Sequence, residues 1–176
     1  MYTQDNDTLL IAVDTQDHDI GVVAKMNAHR NGILHRAFSI FVFDESDRLL
    51  LQRRATDKYH SGGLWSNTCC GHPSPGESLL GAAHRRLREE MGFDCPLRVV
   101  FSFVYRAALD GGLVEHELDH VVVGQFQDAP APDPREVGAW KWESAPAVHA
   151  QLAAEPKTFT AWFPTALDEL LARGIP

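Results

Sequence analysis

The sequence has few cysteines, no long hydrophobic run and no lysine or arginine near its start. Three cysteines, an odd number, argue against a disulfide framework. No stretch approaches the roughly 18 apolar residues of a membrane-spanning helix. The first lysine or arginine is Lys25, so the basic start of a secretory signal peptide is missing. We therefore expect a cytoplasmic protein that contacts no membrane.

Positive charge is also scarce. The chain has 24 acidic side chains against 16 lysines and arginines, a formal net charge of −8. Such a balance disfavours binding to nucleic acids or to anionic membranes, because both carry dense negative charge. A small anionic ligand would need a local cluster of basic side chains that works against the field of the whole protein.

What remains resembles the composition of an ordinary globular protein, with 44% hydrophobic and 23% charged residues. A chain of 176 residues fits one domain with a sizeable core. Because no repeat, low-complexity tract or linker divides it, we expect a single domain over residues 1–176.

Hydrophobic periodicity predicts a sheet with a few helices, an α+β fold. The predicted strands are Leu9–Val13, Ile33–Phe43, Arg48–Arg53, Leu97–Ala108, Leu113–Phe126 and Gly138–Trp142. The predicted helices are Ser78–Met91, Ala145–Ala154 and Thr160–Arg173. The first of these helices is the clearest, since apolar residues recur every four positions and a glycine, Gly92, follows at its end.

A motif with fixed gaps runs through this helix and the loop before it. The matching residues are Gly71, Glu77, Arg85, Leu87, Glu89, Glu90, Gly92 and Phe93. Their spacing resembles the Nudix box, in which a glycine, a glutamate and a helical R-E-U-x-E-E-x-G-U segment follow at set intervals. The resemblance implies a Nudix-like mixed β-sheet with flanking helices. It also implies helical carboxylates that bind divalent cations and so neutralise a diphosphate.

One position departs from the pattern of the hydrolytic members. Arg86 stands where they have a glutamate, and it shares a helix face with Glu90 four residues on. An arginine removes a metal ligand and repels the metal, whereas its planar guanidinium suits phosphate oxygens. The motif therefore predicts diphosphate binding and argues against diphosphate hydrolysis.

A second resemblance extends over residues 25–165. The segments Asn67-x-x-Cys70-Gly71-His72-Pro73, Tyr105-Arg106-Ala107, Glu115-His116-Glu117 and Phe159-Thr160-Ala161-Trp162 occur in this order. They resemble type I isopentenyl-diphosphate isomerase, a Nudix-fold family that shares the arginine departure. The resemblance implies an enzyme of isoprenoid biosynthesis that interconverts isopentenyl and dimethylallyl diphosphate through a tertiary carbocation.

The resemblance also assigns catalytic roles. Cys70 and Glu117 would lie on opposite faces of the substrate and move the two protons, with Tyr105 hydrogen-bonded near Glu117. Trp162 would stabilise the carbocation through its ring face. A reactive cysteine is expected to have a pKa lowered by neighbouring cations, so we expect this for Cys70.

The metal and substrate contacts implied by the same resemblance form two groups. A first divalent metal, Mn²⁺ or Zn²⁺, would be bound by His29, His35, His72, Glu115 and Glu117, a ligand set compatible with either ion. A Mg²⁺ ion held by Glu90 would bridge to the diphosphate. The diphosphate itself would contact Lys25, Arg54, Lys58 and Arg86. The other histidines are interpreted as surface or core residues: His18, His60, His84, His116, His120 and His149.

Two other functions stay open at this stage. A Nudix hydrolase of nucleoside diphosphate derivatives would need its missing carboxylate restored elsewhere and would not need Cys70. A non-catalytic module with a structural metal is the second alternative, although structural zinc sites are usually rich in cysteine.

Overall fold

A computed structural model describes residues 8–58 and 60–175. Its strands in that part of the chain are β1 Leu9–Val13, β2 Asp19–Ala24, β3 His35–Phe43, β4 Arg48–Arg54, β5 Trp65–Ser66, β6 Cys69–Gly71, β7 Leu97–Ala108, β8 Val114–Gln125 and β9 Val137–Ser144. Its α-helices there are α1 Lys25–Asn31, α2 Leu79–Met91, α3 Ala145–Ala154 and α4 Phe163–Ala172. Two short 3₁₀ helices are also present, at Asp110–Gly112 and Pro156–Thr158.

The strands form one mixed sheet around β3. Strand β3 pairs antiparallel with β1, β4 and β6 and parallel with β8. The long strands β7 and β8 form an antiparallel hairpin, and β9 pairs antiparallel with β4. Strand β3 is buried along almost its whole length, as its continuous apolar sequence predicts for a central strand.

Helices cover both faces of this sheet. On one face, Phe38 and Ile40 of β3 pack with Leu87 and Met91 of α2. On the other face, Phe41 of β3 packs in a second core with residues of α4 and with Val148 of α3. The alternation of strand side chains thus separates two hydrophobic cores, and the predicted α+β class is confirmed.

Helix α2 has the termini that its sequence predicts. The Ser78 hydroxyl accepts a hydrogen bond from the backbone N–H of Gly81 at 3.1 Å, which caps the first turn. Gly92 ends the helix with a φ of 74° in the left-handed region. A Cβ atom at this position would lie 2.1 Å from the carbonyl oxygen of Ala131, so the close approach of that loop also requires glycine.

Two elements were not predicted, and the last helix begins later than predicted. The unpredicted elements are strand β2 and helix α1, and the last helix begins at Phe163 rather than at Thr160. The backbone N–H of Thr160 donates to the carbonyl of Trp65 at 2.9 Å, which connects this segment to β5, so the helix begins after it.

In the described residues, no helix is both long and apolar enough to cross a membrane.

Candidate active site

A cavity of about 1120 Å³ is lined by side chains from several strands, from helix α2 and from the start of α4. The sequence-predicted residues that line it are Lys25, Arg54, Lys58, Cys70, His72, Arg86, Glu90, Tyr105, Glu115, Glu117 and Trp162. His29 and His35 are fully buried and belong to the same cluster of side chains as His72. The fold therefore brings the predicted site residues, which are spread along the chain, to one region.

Strand register explains how the centre of the site is assembled. His35 of β3 lies opposite Glu117 of β8 in the parallel pair, and Tyr105 of β7 lies opposite Glu117 in the antiparallel pair. Because paired residues project from the same face, these three side chains form a row across the sheet. Helix α1 and its left-handed end at Gly32 bring His29 beside this row.

Four possible metal ligands meet at one end of the row. One donor atom from each of His29, His35, His72 and Glu117 lies within 4.8 Å of the others. His72 Nε2 is 2.9 Å from Glu117 Oε1, and His35 Nε2 is 3.5 Å from the same oxygen. Glu115, the fifth predicted ligand, lies beside this cluster and is not one of its four members.

The state of the histidine rings fits a divalent cation. Burial and the neighbouring histidines lower the pKa of His29 to about 3, and burial also lowers the pKa of His72. Neutral imidazoles have the free lone pair that a metal needs. His35 Nδ1 donates to the carbonyl of Ile33 at 2.8 Å, so its lone pair is on Nε2, which is buried without a hydrogen bond. Three imidazoles and a carboxylate suit Mn²⁺, Zn²⁺ or Fe²⁺ better than Mg²⁺.

Two neighbouring carboxyl groups share one tyrosine hydroxyl. The Tyr105 hydroxyl lies 2.6 Å from Glu117 Oε2 and 3.1 Å from Glu115 Oε2. Burial, with the nearby charge of Glu117, raises the pKa of Glu115 well above its usual value. Burial acts on Glu117 in the same direction, but the close approach of the His35 and His72 rings prevails and holds its pKa well below the usual value. Burial thus favours the protonated form of Glu115, whereas the nearby histidines favour the ionised form of Glu117.

Cys70 is the cysteine that faces the cavity. Its thiol lies 3.2 Å from Asn67 Oδ1 and 3.6 Å from Ser39 Oγ. Cys69 and Cys95 are buried in the core under α2, as the alternation along the strand predicts for Cys69. The expected lowering of the Cys70 pKa is wrong in this structure. Burial, together with the nearby carboxyl group of Asp119, raises it to about 12.

Basic side chains also line the cavity. Arg86 forms a hydrogen bond with Glu90 one turn along α2, and Glu90 also accepts from Gln52 Nε2 at 2.9 Å. Arg86 and Lys58 both pair with Glu136, a carboxylate of the loop before β9. Seven lysine and arginine side chains line this cavity and provide the local positive cluster that an anionic ligand needs in an acidic protein.

Trp162 closes part of the cavity at the start of α4. Its indole N–H donates to Asn67 Oδ1 at 3.2 Å, and the side chain is almost wholly buried. The guanidinium of Arg54 lies 5.7 Å from the centroid of its ring. The ring thus has a face within reach of a cation.

Several residues of the site were not predicted. His60, interpreted above as a surface or core residue, lies with Nε2 3.5 Å from Glu115 Oε1 and packs edge-on against Trp162. Glu136, Asn67, Ser39 and Asp119 were not singled out either. Of these, Asn67 and Ser39 belong to segments that resemble the isomerase family, Ser39 at the end of Leu34-His35-Arg36-Ala37-Phe38-Ser39, but the resemblance does not indicate their contacts.

Comparison with known proteins gives the relatives of this chain. The NUDIX domain family matches residues 33–163. A protein named isopentenyl-diphosphate Delta-isomerase from Burkholderia multivorans is 59% identical over 167 residues, which cover 95% of this chain and 93% of that protein. Isopentenyl-diphosphate Delta-isomerase 1 from Aromatoleum aromaticum is 53% identical, with 93% of this chain and 92% of that protein covered.

Solved structures share the fold at much lower identity. The DR0079 protein from Deinococcus radiodurans superposes with a TM-score of 0.70 at 19% identity, over 84% of this chain and 90% of that one. A MutT protein from Methanosarcina mazei gives a TM-score of 0.66 at 18% identity, over 81% and 96% of the two chains. These likenesses support the predicted Nudix-like arrangement of sheet and helices.

Proposed function

This chain belongs to the NUDIX family and, within it, to the isopentenyl-diphosphate Delta-isomerases, and from this membership we propose how its cavity performs the reaction. The protein is an enzyme that interconverts isopentenyl diphosphate and dimethylallyl diphosphate in isoprenoid synthesis. One proton is added to a carbon of the substrate, and another is removed two carbons away. The observation that supports our mechanism is one cavity that is lined both by proton-carrying groups and by basic side chains.

The diphosphate binds to basic side chains of the cavity. Lys25, Arg54, Lys58 and Arg86 contact its oxygens, and Glu90 would help to hold the Mg²⁺ ion that accompanies it. Guanidinium groups suit this task because their planar N–H donors match phosphate oxygens. The binding energy of the diphosphate then holds a small hydrocarbon, which offers few contacts of its own, in the reactive position.

His29, His35, His72 and Glu117 would hold the other divalent cation, Mn²⁺ or Zn²⁺, and Glu115 would assist from its neighbouring position. When bound, this cation supplies positive charge that compensates the buried carboxylate. The protein's own contribution is the orientation of Glu117, which is fixed by the Tyr105 hydroxyl on one oxygen and by His72 on the other.

The two protons move on opposite faces of the substrate. Glu117, with Tyr105 and Glu115 beside it, serves one face, and the Cys70 thiol serves the other. Since the reaction is reversible, each group donates a proton in one direction and accepts one in the other direction. A group positioned for such transfer typically contributes a rate factor of about 10²–10⁴.

Between the two transfers the substrate is a tertiary carbocation. Trp162 stabilises this cation through its ring face, an interaction worth about 2 kcal/mol or more when water is excluded. The Arg54 guanidinium already lies near the same ring, which supports the view that the ring face can contact a cation. Exclusion of water also protects the cation from hydration.

We further propose that residues 1–176 form one domain that works in the cytoplasm on a free small molecule, without nucleic acid or membrane. The net charge of −8 supports this view, since the basic side chains are concentrated around a cavity of small-molecule size.

Isotope exchange tests the mechanism directly. The protein is incubated with isopentenyl diphosphate, Mg²⁺ and a trace of Mn²⁺ or Zn²⁺ in D₂O, and the products are analysed by NMR and mass spectrometry. We expect deuterium on carbon in dimethylallyl diphosphate with the diphosphate intact, because the donated proton comes from a group that equilibrates with solvent.

Two other results would contradict the proposal. Release of phosphate or a monophosphate without deuterium on carbon would indicate a Nudix hydrolase. Neither isomerisation nor phosphate release, with metal present, would indicate a binding module.

A further inference from the structure

Asn67 lies wholly buried between β5 and β6, and its amide is held in one orientation. Its Nδ2 donates to the carbonyl of Ile40 at 3.1 Å and to the carbonyl of Cys69 at 2.9 Å. Both amide hydrogens are thereby used on the main chain. The side-chain oxygen of Asn67 is thereby held in one direction.

That oxygen faces the two cavity residues that are proposed to handle the hydrocarbon. Asn67 Oδ1 accepts from the indole Nε1–H of Trp162 at 3.2 Å and from the Cys70 thiol at 3.2 Å. The Ser66 hydroxyl donates to the same oxygen at 2.9 Å. An indole nitrogen can only donate, so loss of this acceptor would leave a buried N–H without its partner.

We propose that Asn67 is a positioning residue whose side-chain oxygen holds the Trp162 ring and the Cys70 thiol in fixed relative positions. Trp162 enters the site from the start of α4, far along the chain from Cys70 on β6. The Asn67 oxygen joins the two, while its amide nitrogen anchors them to the central strand β3 through Ile40. The inference rests on the proposed function of Cys70 and Trp162.

A positioning role predicts a specific kinetic effect. Misplacement of a reacting or stabilising group by about 1 Å can cost a factor of about a hundred in rate. Asn67 does not line the cavity and has no hydrogen bond with the basic residues assigned to the diphosphate. Its loss should therefore lower kcat and leave KM for isopentenyl diphosphate nearly unchanged.

The experiment compares Asn67→Ala with Thr68→Ala. Thr68 is the next residue and is equally buried. Its side-chain hydroxyl makes two hydrogen bonds, to the carbonyl of Leu50 and from the N–H of Val42, but none to Cys70 or Trp162. We expect kcat to fall between about ten- and a hundredfold in Asn67→Ala. KM should stay within about twofold there, and Thr68→Ala should keep kcat per folded molecule while losing similar thermal stability.

A second comparison, in a Trp162→Phe background, distinguishes positioning of Trp162 from a purely structural role of Asn67. This change removes the indole N–H, so Asn67→Ala should cost a smaller factor in kcat there than in the wild type. An equal factor in both backgrounds would overturn the proposal. Equal losses of kcat in Asn67→Ala and Thr68→Ala would overturn it as well.

Two further arms keep the test decisive. If Asn67→Ala does not fold, Asn67→Ser keeps a polar group in the buried site but moves it one bond away from Trp162, and the same loss of kcat is expected. Alkylation of Cys70 by iodoacetamide, with Cys69 and Cys95 replaced by alanine, needs no substrate. It should be several-fold faster in Asn67→Ala than in Thr68→Ala, because the thiol loses its fixed partner; equal rates would refute the inference. A wild-type protein without isomerase activity would refute the proposed function instead.

Discussion

Glu136 competes with the substrate for the basic residues of the cavity, and its removal should tighten substrate binding. The carboxylate pairs with Lys58 and with Arg86, both assigned to the diphosphate. A diphosphate can reach these cations only if Glu136 gives them up. We therefore predict that Glu136→Gln lowers KM for isopentenyl diphosphate and leaves kcat largely unchanged.

The structure sets the size of this effect. The Glu136, Lys58 and Arg86 side chains are 25%, 23% and 24% exposed, so the two ion pairs remain in contact with solvent. Pairs of this kind contribute about 0.2–1 kcal/mol each. If the two together release about 1 kcal/mol, KM should fall roughly fivefold. The difference should shrink as ionic strength rises, because salt screens partly exposed charges.

The assay is initial-rate kinetics with isopentenyl diphosphate at saturating Mg²⁺. Asp133→Asn is the matched control, since it removes the same charge from the same loop while its partner, Arg135, is not assigned to the diphosphate. That control should leave KM close to the wild-type value. A rise in KM for Glu136→Gln would refute the competition, since it would indicate that Glu136 helps to bind the substrate or its Mg²⁺.

Two further predictions concern the thiol and the metal. Cys70→Ala should abolish isomerisation, whereas Cys69→Ala and Cys95→Ala should keep kcat and lose only some thermal stability; full activity of Cys70→Ala in the D₂O assay would refute the proton-transfer mechanism. Chelators should inactivate the enzyme, and elemental analysis should find a larger loss of metal in His72→Ala than in Glu115→Gln, because only His72 belongs to the four-donor cluster. Unchanged metal content in His72→Ala would indicate that the metal binds elsewhere.

The predicted elements that proved right are those with long, regular patterns. Strand β3 is a continuous apolar run, and α2 repeats apolar residues over three turns between a serine cap and a C-terminal glycine. Helix α1 escaped prediction because it has seven residues and no side-chain cap. Strand β2 escaped because its apolar residues are largely exposed at the edge of the sheet, so burial imposes no alternation on its sequence.

The properties of the site residues could be predicted only in part from the sequence. Motifs brought Cys70, His72 and Glu117 to attention, but the properties of these side chains depend on neighbours that are distant in the chain. The carboxyl group of Asp119 beside Cys70, and the pairing of Glu136 with Lys58, follow from strand register and loop path. Neither follows from the spacing of residues within a motif.

The four donors of the histidine–glutamate cluster come from separate parts of the chain, namely α1, β3, the segment after β6, and β8. An ion bound by all of them would close several loops at once, much as a covalent crosslink does. By mass action, its binding free energy adds to the free energy of unfolding, about 2.7 kcal/mol when the free ion is at a hundred times its Kd. The melting temperature would then rise with the concentration of free metal ion. A cell short of the ion would lose folded enzyme together with its activity.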